Sequence, residues 1–354
     1  MEKQIERYPL ERSPLYNAKS IKKISRLLSL KPAWVNKKDR SKPILQKLYK
    51  LTKADLDNFA DHANYTIKDI IDKKGKSRST EIPALDLKWL HYRLEYLLKK
   101  IEPPSYLFSA IKGRSCKANA RMHANNTQLF KIDIKTFYPN ITFGKVYNFY
   151  RYILNCEDHI ATVLTKISSY NNHLPTGSPL SPILSFYACK PMFDEIYQLA
   201  LEHNCVMTLY VDDICISGDK ATKALLWKIK QIIHRYGLRY HKVKFYSKKQ
   251  PKKVTGVIVT ENSIKLPNRR HQAITERITY LQSPSITPKE KREANNSLLG
   301  QLNEAMQLEP KLAKTKAHLI QQGLLKPHIS LPQNNSKRKQ SNCKLKFLAF
   351  LGDF

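Results

Sequence analysis

Residues 206–217 read VMTLYVDDICIS, two β-prone runs with a pair of aspartates, Asp212 and Asp213, set between them. A short polar step between two runs rich in Val, Ile, Tyr and Thr is a hairpin signal, so the spacing predicts a β-hairpin with the aspartates at its turn. Upstream, LFKIDI (129–134) alternates around Asp133 as a strand would. Helical periodicity fills Pro182–Leu201 and Ala221–Tyr236, and VTGVIV (254–259) is a further β-prone segment. Strand, helix, hairpin, helix, strand is the order of a small antiparallel sheet backed by helices, an α+β arrangement.

The chain has 354 residues, 42% of them hydrophobic, which is enough to bury the core of one large domain or of two to three small lobes. Wholesale disorder is excluded. Lys and Arg number 62 against 29 Asp and Glu, a formal charge of +33 that self-repels unless a polyanion neutralises it. The expected partner is nucleic acid, and a ribosomal or chaperone-like binder without chemistry would share this balance. The six cysteines form no CxxC pair and mostly sit in apolar stretches, as reduced core thiols do. No apolar run approaches the roughly 18 residues of a membrane helix, and the start MEKQIERYPLERS lacks the apolar segment of a secretory signal. A cytoplasmic protein with no membrane partner is therefore expected.

Outside the strand-rich region, residues 18–31 place Ile21, Ile24, Leu27, Leu28 and Leu30 near helical spacing with Lys and Arg opposite, an amphipathic helix. Asp86–Ile101 reads as a helix stopped by Pro103 and Pro104. Asp72–Thr80 (DKKGKSRST) reads as a basic hairpin tip, and residues 311–354 carry nine Lys and Arg against the single Asp353.

Carboxylates inside apolar strands need an explanation in so basic a chain, because a desolvated Asp is costly without a compensating cation. If the strand ending at Asp133 lies beside the hairpin, Asp133, Asp212 and Asp213 share one edge and can hold two magnesium ions through oxygen ligands. Two such ions roughly 3.5–4 Å apart activate a 3′ hydroxyl and stabilise a departing pyrophosphate. An isolated Asp-Asp turn is more often a solvated hairpin corner, so its neighbours decide.

Five ordered blocks between about Tyr65 and Pro310 resemble those of reverse transcriptases: SAIKGRS (109–115), FKIDIKTFYPNI (130–141), LPTGSPLSPILS (174–185), YVDD (210–213) and GLRYHKVKF (237–245). The resemblance implies a right-hand polymerase fold: N-terminal helices and fingers over 1–128, a palm over 129–263 with a fingers segment inserted near 142–180, a helical thumb over 264–330, and a basic tail over 331–354. It implies metal ligation by Asp133, Ile134, Asp212 and Asp213, the three aspartates being catalytic, with Mg2+ as the cofactor. It also implies contacts to deoxynucleoside triphosphates from Lys74, Arg78, Tyr138, Thr176, Gly177 and Lys244. A guanidinium fits phosphate oxygens bidentately, the Tyr138 ring would exclude a 2′ hydroxyl, Gly177 would allow close approach to the nucleotide, and Lys244 would neutralise pyrophosphate.

Two further strings narrow the resemblance to retron reverse transcriptases: Asn119-Ala120-Arg121-Met122-His123 before the first catalytic block, and Val254-Thr255-Gly256 after the hairpin. Three positions depart from that pattern: Val211 where Ala is common, His241 for Asn, and Phe245 for Thr. The last two leave the alignment of Lys244 less secure. The narrower resemblance implies a cognate noncoding RNA that is partly copied into single-stranded DNA from an RNA 2′ hydroxyl, and an effector protein in anti-phage defence. RNA contacts are then expected at Asn119, His123, Val254, Thr255, Gly256, Arg269 and Arg270, with Leu298–Leu308 in the thumb. The alternatives are a defence-associated reverse transcriptase with another primer, or an RNA-binding scaffold with a vestigial site.

Overall fold

The computed structural model describes residues 6–31, 43–71, 75, 77–124, 127–261 and 263–326. The tail over 331–354, and with it Cys343, lies outside the described residues. Three helices come first: α1 (Ile21–Leu28), α2 (Pro43–Tyr49) and α3 (Lys53–Asp61). α1 is the amphipathic helix expected over 18–31, with Ile24 and Leu28 one turn apart in the core and Lys22, Lys23 and Arg26 exposed. α3 starts at a capping box in which Thr52 and Asp55 satisfy each other's backbone N–H. An antiparallel hairpin of β1 (Tyr65–Ile71) and β2 (Ser77–Pro83) follows, and then α4 (Leu85–Lys99) and α5 (Cys116–Arg121).

The central sheet contains β3 (Leu129–Ile134), β4 (Val206–Tyr210), β5 (Asp213–Ser217) and β6 (Tyr240–Tyr246), antiparallel throughout in the order β4-β5-β3-β6. Helices α6 (Phe143–Asn148), α7 (Asp158–Ser168), α8 (Ser181–Ala188) and α9 (Lys190–Glu202) lie between β3 and β4 in the chain, and α10 (Lys223–Arg235) between β5 and β6. The mixed helical and antiparallel composition agrees with the expected α+β class. Three local expectations are corrected. The helix expected over Pro182–Leu201 is broken at Cys189, because Pro191 lacks an N–H and its ring crowds the carbonyl four residues back. The fourth strand of the sheet is Tyr240–Tyr246 rather than VTGVIV, which instead forms β7 (Lys252–Val254), a two-residue turn and β8 (Val257–Val259). With β9 (Ile264–Lys265) these make a separate three-stranded sheet. In the hairpin that carries the aspartate pair, Asp213 is the first residue of β5, which leaves Val211 and Asp212 as the turn.

Strand alternation decides which side chains stay near solvent. On one face of the central sheet the cross-strand pairs Phe130–Ile216 and Ile132–Ile214 have no exposed surface, each such side chain contributing about 1.5–3 kcal/mol. This face belongs to a core that runs from Leu15 to Leu238. The opposite face carries Lys131 and Asp133 on β3 and Asp213 on β5. A small cluster of Ala120, Leu129, Cys215, Val254, Val257 and Val259 covers its other end. α5 and the β7–β8 hairpin thus cap one half of the face and leave the carboxylate half accessible. The last helices, α11 (Asn268–Gln282), α12 (Pro288–Leu308) and α13 (Leu312–Gln321), have a core of their own, with Leu308 packed against both it and the small cluster.

Among the described cysteines, Cys156, Cys189, Cys205 and Cys215 are buried and unbridged, while Cys116 is half-buried. Among the described residues, no helix is long and apolar enough to cross a membrane.

Candidate active site

The backbone brings the three aspartates together. Asp133 pairs directly with Asp213 across β3 and β5, and the Ile134 N–H donates to the Asp212 carbonyl at 2.9 Å. Val211 opens the turn at φ +58, a left-handed conformation that a β-branched residue rarely adopts. It is therefore not in a strand, as its sequence setting implied. The turn is pinned from outside by Ser109, whose Oγ accepts the Val211 N–H at 2.8 Å. The segment carrying Ser109 lies along β4 through Phe108 N–H to the Leu209 carbonyl and Leu209 N–H to the Tyr106 carbonyl, at 2.9 and 2.7 Å.

These carboxylates carry strained electrostatics. Burial, with the nearby Asp133 and Asp213 charges, pushes the Asp212 carboxyl up to about 6. Burial also raises Asp213, against the opposing pull of Lys131, whose Nζ lies 2.8 Å from Asp213 Oδ2. Asp213 Oδ1 is buried without a hydrogen-bond partner. Lys242 Nζ approaches Asp133 Oδ2 at 3.3 Å, and His241 Nε2 lies 2.7 Å from Asp133 Oδ1 but without hydrogen-bond alignment. Among the described residues no three acidic, imidazole or thiol groups form a closed metal cage. The donor chemistry nevertheless suits a divalent cation: hard carboxylate oxygens, one of them orphaned, whose mutual repulsion such an ion would relieve. Ile134, fully buried and apolar, could join only through its backbone carbonyl.

The late block needs a correction. Register slips by one residue between β3 and β6, where Lys131 pairs with Lys244 but Asp133 with His241. The extra residue is a bulge, with Lys242 at φ +49. The bulge directs Lys242 to Asp133, whereas Lys244 stands exposed opposite Lys131. His241, one of the three departures from the retron pattern, also touches Asp133.

Around the turn, Tyr138 is mostly buried, and burial together with the Asp212 charge raises its hydroxyl well above the usual tyrosine range. Arg78 is exposed on β2 opposite Ile70; Lys74 and Lys76 lie outside the described residues. Thr176 and Gly177 bind protein here. Thr176 Oγ1 accepts the Glu81 N–H at 3.2 Å, its own N–H donates to Glu81 Oε2 at 3.3 Å, and the Gly177 N–H donates to the Glu81 carbonyl at 3.1 Å. A β-carbon on Gly177 would lie 2.6 Å from that carbonyl oxygen, so the close approach to β2 by itself requires glycine here. His173 Nε2 completes the clamp at 2.9 Å from Glu81 Oε1.

The residues expected to contact RNA divide in two. Asn119 and Val254 have no exposed surface and His123 only 1%. The His123 ring lies 2.7 Å from Ser217 Oγ and 2.8 Å from Thr208 Oγ1, and burial lowers its pKa to about 3. With both ring nitrogens engaged inside the protein, His123 is corrected to a structural histidine. Asn119 Nδ2 donates to Thr255 Oγ1 at 3.3 Å. Arg269, by contrast, is exposed, and Arg270 is half-exposed with Nη1 2.6 Å from Glu304. Sequence reasoning missed Ser109, Lys131, Lys242, Glu81 and His173, whose roles arise from partners far away in the chain.

Residues 70–259, which include all three aspartates, match the family described as reverse transcriptase (RNA-dependent DNA polymerase). The chain is also similar to Retron Ec86 reverse transcriptase of Escherichia coli, 27% identical over 219 residues, covering 60% of this chain and 68% of the relative. Retron Ec73 reverse transcriptase of Escherichia coli is 29% identical over 185 residues, or 48% of this chain and 58% of the relative. Retron Se72 reverse transcriptase of Salmonella heidelberg is 27% identical over 153 residues, or 42% of this chain and 39% of the relative.

Proposed function

Because the chain belongs to the reverse transcriptase (RNA-dependent DNA polymerase) family, we propose that it is a retron enzyme that copies part of a cognate structured RNA into single-stranded DNA. In this reading an RNA 2′ hydroxyl is the primer, and the product serves anti-phage defence with an effector protein. The observation that carries the reading is the pairing of Asp133 with Asp213 beside the Asp212 turn, within the matched region. Asp133, Asp212 and Asp213, with the Ile134 carbonyl, would hold the divalent ions, two Mg2+. When bound, these ions supply the positive charge that activates a primer hydroxyl and neutralises a leaving pyrophosphate.

The chain's own residues set the geometry. Ser109 fixes the turn that aims Asp212, and Lys131 and Lys242 offset the carboxylate charge. Lys242, which reaches Asp133, rather than Lys244, is the β6 lysine that would neutralise the leaving pyrophosphate. Tyr138 beside Asp212 would lie under the incoming sugar and select deoxynucleotides. Arg78 would meet the triphosphate, held by the Glu81–Thr176 clamp that joins β2 to the 174–185 block. The β1–β2 hairpin then belongs to the fingers, the central sheet to the palm, and α11–α13, with their separate core, to the thumb. The +33 charge supports a resident RNA partner through phosphate neutralisation.

The test is to purify the chain from cells and sequence its nucleic acid. The proposal expects a defined RNA joined covalently to a short DNA. Recovery of heterogeneous RNA without attached DNA would reject the retron assignment.

A further inference from the structure

The motif strings at 119–123 and 254–256, far apart in the chain, meet through one turn of α5. Asn119 Nδ2 donates to Thr255 Oγ1, and the same hydroxyl donates to the Cys116 carbonyl at 3.1 Å, so it is used in both directions. Four residues after Asn119, His123 bridges Ser217 on β5 and Thr208 on β4, the two strands of the aspartate hairpin. His123 lies in the turn that follows α5, two residues beyond Arg121. α5 and that turn together therefore grip two hairpins.

Neither polar residue is a choice that fold stability alone would favour. The β7–β8 turn places Thr255 at φ +42 and Gly256 at φ +78, positions where Asn or Gly is ordinary and a β-branched residue is strained. Thr255 stands there with its hydroxyl spent entirely inside the protein. Asn119 is fully buried, yet its Oδ1 has no hydrogen-bond partner, an uncompensated desolvation. On the outer side of the turn, Arg270 Nη2 lies 3.6 Å from where a Gly256 β-carbon would be, next to exposed Arg269. A glycine backbone beside a guanidinium, here that of Arg270, whose other nitrogen pairs with Glu304, suits a phosphate of a nucleic acid.

We infer that Asn119 and His123 are positioning residues that tie the 255–256 turn to the aspartate hairpin, so that cognate RNA held by Gly256, Arg269 and Arg270 is seated in fixed register with the carboxylates. The inference rests on the polymerase reading above. It assigns these motifs to internal coupling instead of direct base contact.

The experiment compares two substrates. One is the transcript identified by sequencing the RNA that copurifies with the wild-type chain; the other is an unrelated RNA template with an annealed DNA primer. Asn119→Ala and Thr255→Val should each lower self-primed synthesis on the copurifying RNA about tenfold, the effect of one lost buried hydrogen bond on seating. Extension of the annealed primer should change by less than about threefold. The double variant should be no worse than Thr255→Val alone, because that change already removes the contact that Asn119→Ala removes. Thr255→Ser, which keeps the hydroxyl, should restore synthesis. Equal loss on both substrates, additive singles, or no loss on the copurifying RNA would overturn the inference. A wild-type chain that extends neither substrate would instead remove the polymerase reading on which it rests.

Discussion

Two hairpin turns carry most of the account, and they are built alike up to a point. The β4–β5 turn opens with Val211 at φ +58 and the β7–β8 turn with Thr255 at φ +42, each a β-branched residue in a left-handed conformation. Each is pinned by a hydrogen bond from another segment, Ser109 for the first and Asn119 for the second. They differ in what is left over. At the first turn a carboxylate oxygen is orphaned and the Asp212 carboxyl is raised to about 6, so the site has negative charge that the protein does not satisfy. At the second, the Thr255 hydroxyl is saturated internally, the atom left over is the neutral amide oxygen Asn119 Oδ1, and the Arg270 guanidinium lies beside the Gly256 backbone. A motif of polar residues can thus mark a reacting site or a mechanical joint, and the charge on the unpartnered oxygen, carboxylate at one turn and amide at the other, separates them.

Variants at the two turns should separate most widely in catalysis. Asp133→Asn, which removes the β3 carboxylate facing the first turn, is expected to slow extension of an annealed primer on the order of 10³-fold, the loss of several kcal/mol of transition-state stabilisation. A rate within tenfold of wild type would erase the distinction from Thr255→Val.

Acid should act through the joint. His123 is held at about 3, below its ordinary 6.5, because burial disfavours the imidazolium. Between these values the unfolded chain binds a proton that the folded chain refuses, so stability falls as pH falls through that window. From pH 7.5 to 5 this residue alone should contribute a loss of about 2 kcal/mol. Urea midpoints should decline less steeply with acid in His123→Gln; identical slopes would refute the assignment.

Ser109→Ala leaves the Val211 N–H without its acceptor and should lower stability by about 1 kcal/mol, measured as a shifted denaturant midpoint with unchanged slope. The smallest effect compares the two strained residues. Val211→Gly should raise stability by about 1 kcal/mol through relief of the left-handed backbone. Thr255→Gly should gain nothing, since it gives up two hydrogen bonds for the same relief. Equal gains would mean that the Thr255 hydroxyl holds nothing in place.

The carboxylates and their hairpin were legible in the sequence because Asp inside an alternating apolar strand is conspicuous, and strand period places its face. The break at Cys189 was missed by a reading that rested on helical periodicity over Pro182–Leu201, although Pro191 signals it. The identity of the lysine beside Asp133 was not legible. It depends on a one-residue bulge in β6 that no turn residue signals, and the slip exchanges Lys244 for Lys242. The partner of Gly177 was equally hidden, because the sequence says that a close approach is needed without saying to what; it is the β2 backbone at Glu81. Asn119 and His123 were conspicuous as a motif, but their inward orientation depends on the small cluster that seats α5 on the sheet.

The most direct measurement is DNA synthesis by the purified chain on a primed RNA template in Mg2+, for wild type and for Asp212→Asn with Asp213→Asn. The account predicts template-dependent incorporation of deoxynucleotides by the wild type, and its loss in the double variant with RNA affinity retained. Undiminished synthesis by the double variant would contradict it.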